Sequence, residues 1–337
     1  KAVEKRTGKR IDFSSMDYDD PEVFKLLSAG KTAGVFQLES SGMTSFIKEL
    51  QPESLEDIIA GIALYRPGPM DFIPKYIAGK NSGKEVIYDC EELKPILEST
   101  YGCIVYQEQV MQIVQSLAGY SLGQADILRR AMSKKKGGVM EENRKYFIYG
   151  NEAEGVPGCV KNGIREEVAI KIYKDMEDFA KYAFNKSHAA AYAVVAYQTA
   201  WLKVHYRLEF MASLLTSVFG NKGKCAEYIA ACRNMGIEVL PPSVNEGEGP
   251  FSVNGDRLRY GMYAIKSIGE AVIDEVVAER EKNGPYRTFE DFIGRTVSHG
   301  INKTAIENLI KAGALDGLDG NRRQMMVVYP AIVEKVT

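Results

Sequence analysis

Apolar residues recur at three- and four-residue spacing along most of this chain, and sustained two-residue alternation is scarce, which confines the chain to a mainly helical fold with a few short strands. Val110, Ile113, Val114 and Leu117 mark one helix face, and Val168, Ile172, Met176 and Phe179 mark another. Ser187 reads as the N-cap of a long apolar helix from about His188 to Tyr206. Strand candidates are short: Gly34–Leu38, Cys103–Tyr106, Glu238–Leu240 and Arg257–Gly261. Pro241-Pro242 ends whatever precedes it. The Gly-, Asn- and Glu-rich stretch that follows reads as loops around a small β element. Two short helical units come next, at about Glu270–Lys282 and Thr304–Ala312. The implied organisation is a first domain over 1–240 with an irregular insertion at 137–163, a linker with a small β element over 241–260, a tandem hairpin of helices over 261–325, and the start of a further segment at 326–337.

A net charge of −2 excludes a uniformly basic surface, so any affinity for nucleic acid must come from local clusters of Lys and Arg. The five cysteines form no C-x-x-C pair and are odd in number, which suits reduced thiols in the cytoplasm. Three scattered histidines give no zinc spacing. No apolar run reaches membrane-spanning length. The charged opening without Met, Lys1 to Arg10, fits a piece of something longer.

Four clusters can meet phosphate. Arg129 and Arg130, with Lys134, Lys135 and Lys136, put five positive charges into eight residues; the run is either a phosphate grip or a solvated helix end. Tyr182, Asn185, Lys186, Ser187 and His188 lie at a helix start, where unpaired N–H groups and the dipole favour an anion; the alternative is a plain cap with an idle histidine. Arg66 is held in the turn Tyr65-Arg66-Pro67-Gly68-Pro69, facing either a phosphate or solvent. Lys266, Ser267 and Gly269 resemble the turn of a helix-hairpin-helix, whose backbone N–H groups hold DNA phosphate without reading sequence, although Ser267 stands where that turn usually has glycine. Asp17, Asp19 and Asp20 offer clustered carboxylates for a metal, but Pro21 after them marks a cap better. No nucleophile elbow and no P-loop is present.

Together these stretches resemble the alpha subunit of bacterial DNA polymerase III, a replicative polymerase. The matching blocks, in the family's order, are Gly34–Ser40, Tyr65–Pro69, Thr100–Met111, Leu128–Lys136, Phe184–His188 and Ala196–Lys203. The resemblance implies the fingers region followed by a tandem helix-hairpin-helix element. It places Arg129 and Arg130 near the triphosphate of an incoming dNTP, Lys186 and His188 in the same pocket and Tyr182 beside its sugar; Arg66, Asn185 and Ser187 are expected to complete the dNTP site. From the basic run and the hairpin turn, Lys134, Lys135, Lys136, Lys266, Ser267 and Gly269 are expected to contact DNA. No block matches the family's metal-binding aspartates, so no catalytic residue is expected here, and Mg²⁺ would arrive with the dNTP and a palm domain elsewhere. Implied partners are primer-template DNA, dNTP and the remaining domains of the subunit. The sliding clamp and other replisome subunits would bind through other regions, and no membrane is involved. The competing reading is a non-catalytic DNA-binding or scaffolding module that uses only the basic run and the hairpin.

Overall fold

The computed structural model describes residues 1–83, 85–133, 137–180, 184–297 and 300–336. Among these the fold is helical throughout, with one three-stranded sheet. The chain divides into two compact units, Met16–Ala200 and a second made of Lys1–Ser15 with Trp201–Thr337.

In the unit Met16–Ala200 the apolar stripes form the core. Helix Gln107–Ala118 buries Val110, Ile113, Val114 and Leu117, and helix Glu166–Ala180 buries Ile172, Met176 and Phe179. These side chains pack with Leu128 and Met132 of helix Leu122–Ser133, except Phe179, which stacks edge-on with Phe72. The stretch expected to be an irregular insertion is helical over Gly137–Tyr149. Its Phe147 and Ile148 are buried in the same core, which supplies the packing that its weak periodicity does not advertise. Asp20 caps helix Pro21–Ser28 by accepting from the Glu22 N–H, with Pro21 at the first helical position.

Two strand expectations need correction. Gly34–Leu38 is a pair of turns, with Gly34 and Gln37 at φ +74° and +62°. Cys103–Tyr106 buries Cys103, Val105 and Tyr106, but among the described residues it forms a single isolated bridge, in parallel from Tyr106 to Phe184.

In the other unit, Val239–Leu240 pairs in parallel with Arg257–Arg259, which pairs antiparallel with Ser252–Asn254. Helices Arg207–Ser217 and Lys222–Asn234 pack near this sheet around Met211, Leu215, Tyr228 and Leu258. Helices Glu270–Asn283, Phe289–Val297, Lys303–Ala312 and Arg322–Val336 share a separate core that includes Ile273, Phe292, Ile306, Leu309 and Met325.

Candidate functional site

The extended segment Cys103–Tyr106 leads into helix Gln107–Ala118, and the start of that helix is fixed by Gln109. The Gln109 side chain accepts from the N–H groups of Val105 and Tyr106 at 2.8 and 3.0 Å. It donates to Thr100 Oγ1 at 2.8 Å and to the Ile96 carbonyl at 3.2 Å. All its capacity is spent locally, so the first helical turn is a rigid platform.

Two basic stretches meet this platform. On one side, Gln107 N–H donates to the Phe184 carbonyl at 2.9 Å. The Glu108 carboxylate accepts from Asn185 Nδ2 at 3.0 Å and from the Lys186 N–H at 3.0 and 3.1 Å. On the other side, Arg129 Nη1 donates to Gln107 Oε1 at 3.0 Å. Residues far apart in sequence are thus joined through two neighbours, Gln107 and Glu108.

Helix Lys186–His205 begins two residues earlier than the sequence suggests. Its cap is Asn185, whose Oδ1 accepts from the His188 N–H at 2.9 Å; Ser187 lies exposed within the first turn. The Asn amide serves here because its oxygen caps while its nitrogen reaches Glu108, which a serine hydroxyl is too short to do. His188 is exposed and lies between Phe184, which it meets edge-on, and the tilted ring of Tyr192, with centroid distances of 5.3 and 4.3 Å. The Arg66 guanidinium lies 4.1 Å from the centre of the Phe184 ring, a cation–π contact. Lys186 Nζ sits 3.0 Å from Glu56 Oε2 and 5.2 Å from the centre of the Tyr106 ring.

The arginines are not bare. Arg129 holds Asp126 Oδ1 through Nε at 3.1 Å and Nη2 at 2.7 Å, and Arg130 holds Asp126 Oδ2 at 2.8 Å. The hydrogen bond from Arg129, with the charges of both arginines, keeps the Asp126 carboxyl below its usual range. Such solvent-screened pairs at helical spacing contribute little to stability. Asp126, Gln107, Glu108 and Glu56 escaped the sequence reading. The spacing of Asp126 three and four residues before Arg129 and Arg130 was the available signal.

Tyr182, Lys134, Lys135 and Lys136 lie outside the described residues. Lys266, Ser267 and Gly269 belong to the other unit, where all three are exposed. Gly269 caps helix Glu270–Asn283, and Ser267 holds φ +58° in the turn before it. The Lys266 ammonium beside Lys222 holds the latter below the usual lysine range. Among the described residues no group of three His, Cys, Asp or Glu side chains is placed to hold a metal ion. Among the described residues no helix is long and apolar enough to cross a membrane.

Comparison with known proteins adds the context. Residues 1–155 match the bacterial DNA polymerase III alpha subunit finger domain, and residues 236–325 match the helix-hairpin-helix motif. The chain is 46% identical over 336 residues to the DNA polymerase III subunit alpha of Thermus aquaticus, covering 98% of this chain and 27% of that protein. It is 44% identical over 332 residues to the subunit of the same name from Bacillus subtilis, covering 98% of this chain and 29% of that protein.

Proposed function

The chain belongs to the bacterial DNA polymerase III alpha subunit family, of which it spans little more than a quarter of the length, and on that premise we propose that it is the fingers portion of a template-directed DNA polymerase. In this reading Arg129, Arg130, Arg66, Lys186 and His188 receive the triphosphate of the incoming dNTP. Tyr182 lies against its sugar, and Asn185 and Ser187 complete the helix start. The observation that carries the reading is the convergence of Arg129 and Asn185–Lys186 on the first turn of helix Gln107–Ala118.

Chemically, these groups act by charge. Nucleotidyl transfer builds negative charge on the leaving pyrophosphate, and positive donors fixed beforehand stabilise it without reorganising. When the nucleotide binds, Arg129 and Arg130 exchange Asp126 for phosphate oxygens. Two-metal chemistry needs carboxylates beside the α-phosphate. Mg²⁺ would accordingly be held by the nucleotide and by carboxylates of another domain of the subunit, and this chain by itself would not extend a primer. Primer-template DNA is the second partner, held in part by Lys266, Ser267 and Gly269 in the helix-hairpin-helix portion, where the turn N–H groups grip phosphate.

The test is steady-state nucleotide kinetics of the intact subunit carrying Arg129→Ala or His188→Ala. Loss of one charged hydrogen bond should cost about 1.5–3 kcal/mol in kcat/KM for dNTP, with primer-template affinity retained. Wild-type nucleotide kinetics in both variants would refute the assignment.

A further inference from the structure

We infer that Gln107 and Glu108 are positioning residues that set the two basic stretches in register for one polyanion. The inference rests on the nucleotide reading above, and it names residues that never touch the nucleotide.

Three consecutive side chains at the start of helix Gln107–Ala118 point to three different partners. Successive helical residues are about 100° apart around the axis, so a single turn can address three directions at once. Gln109 turns inward and locks the turn to Val105, Tyr106, Thr100 and Ile96. Gln107 holds Arg129 of helix Leu122–Ser133. Glu108 holds Asn185 and the first backbone N–H of helix Lys186–His205. The platform itself is buried: Tyr106 and Gln109 are 2% and 4% exposed.

The chemistry of the two contacts suits this role. Gln107 accepts from Arg129 through a neutral amide oxygen, which orients the guanidinium without competing with phosphate for its charge. Glu108 is anionic, and it lies at the positive end of the helix dipole, where a carboxylate is favoured. It spends its lone pairs on the Asn185 amide and the Lys186 N–H, which leaves the Lys186 ammonium to Glu56 and to the Tyr106 ring. The aromatic pile of Arg66, Phe184, His188 and Tyr192 is anchored to the same platform by the hydrogen bond from Gln107 N–H to the Phe184 carbonyl. A shift of this turn by 1 Å would move the groups assigned to the triphosphate on both sides.

The experiment is nucleotide kinetics of the intact subunit with Gln107→Ala, Glu108→Ala, Glu108→Gln, Arg129→Ala and the double variant Gln107→Ala/Arg129→Ala. Misplacement of about an ångström is expected to raise the KM for dNTP by about tenfold or more in Gln107→Ala and Glu108→Ala, with kcat changed less and primer-template Kd unchanged. Glu108→Gln keeps one acceptor oxygen and should recover part of the loss. Because Gln107 acts through Arg129, the double variant should be no worse than Arg129→Ala alone. If Arg129→Ala raises KM while Gln107→Ala and Glu108→Ala stay within about twofold of wild type, a margin of ~0.4 kcal/mol by affinity arithmetic, the positioning role is overturned and the nucleotide pocket stands. Additive losses in the double variant also overturn it for Gln107. An Arg129→Ala variant with unaltered kinetics removes the nucleotide reading and this inference together. Should Glu108→Ala fail to fold, Glu108→Gln decides: wild-type KM overturns the role of Glu108, and a raised KM in a folded variant upholds it.

Discussion

Ser267 pays a conformational cost that most residues in the chain avoid. At φ +58° it sits in the left-handed region, where a Cβ crowds the following carbonyl. The strain is of order 1–2 kcal/mol, and glycine would relieve it while giving back about 0.5–1 kcal/mol of unfolded-state entropy. Ser267→Gly should therefore stabilise the chain by about 0.5 kcal/mol, read as a higher urea midpoint at unchanged slope. A lower midpoint would mean that the hydroxyl supplies an interaction outweighing the strain. The turn also shows how a family pattern and a local departure coexist. The backbone keeps the geometry that glycine permits, at a position where the serine is exposed.

At the scale of elements, helix Gln107–Ala118 is held by its first turn as much as by its apolar stripe. Gln109 is 4% exposed and joins four partners, so removing its amide leaves the Val105 and Tyr106 N–H groups buried without acceptors. Gln109→Ala should cost about 2–4 kcal/mol, checked by equilibrium denaturation, and a loss under about 1 kcal/mol would show that water or a relaxed loop replaces the amide. The stripes Val110–Leu117 and Ile172–Phe179 were legible in the sequence because burial and the helical period coincide there. The candidate site announces itself in the sequence by its charges and not by its supports. Arg129, Lys186 and His188 stand out as residue types, whereas Gln107 and Glu108 look like ordinary polar residues in a helix's first turn until partners 22 and 78 residues away are folded against them. The cap fell to Asn185 and not Ser187 for the same reason: both are good caps, and only the tertiary contact with Glu108 separates them. Gly34–Leu38 reads as a short strand candidate through Val35, Phe36 and Leu38, but the left-handed Gly34 and Gln37 fold it into turns. Helix Arg322–Val336 runs through Pro330, a residue that sequence rules read as a stop, and it is kept by burial of Met325, Tyr329 and Val333.

For the whole molecule, a net charge of −2 means that any affinity for DNA cannot come from bulk attraction and would be concentrated where cations gather. In the unit that contains the helix-hairpin-helix match, Lys266 stands close enough to Lys222 to depress it, an arrangement that is unfavourable in the free chain and is relieved by an anion between the two. Lys311 lines the same shallow pocket as Lys266 and is paired with Glu307 at 2.9 Å, so its charge is already partly spent. Duplex binding by this unit should therefore release few counterions. Log affinity should fall with log salt at a slope of roughly −2 if Lys222 and Lys266 each neutralise one phosphate. Lys266→Ala should reduce the slope by about 1 and weaken binding equally across duplex sequences, because phosphate contacts carry no base information. The same substitution should return Lys222 toward the usual lysine range, followed by NMR titration of its side chain. An unchanged salt slope with a relaxed Lys222 would show that the pair is merely a crowded surface, and that DNA, if held, is held elsewhere on the chain.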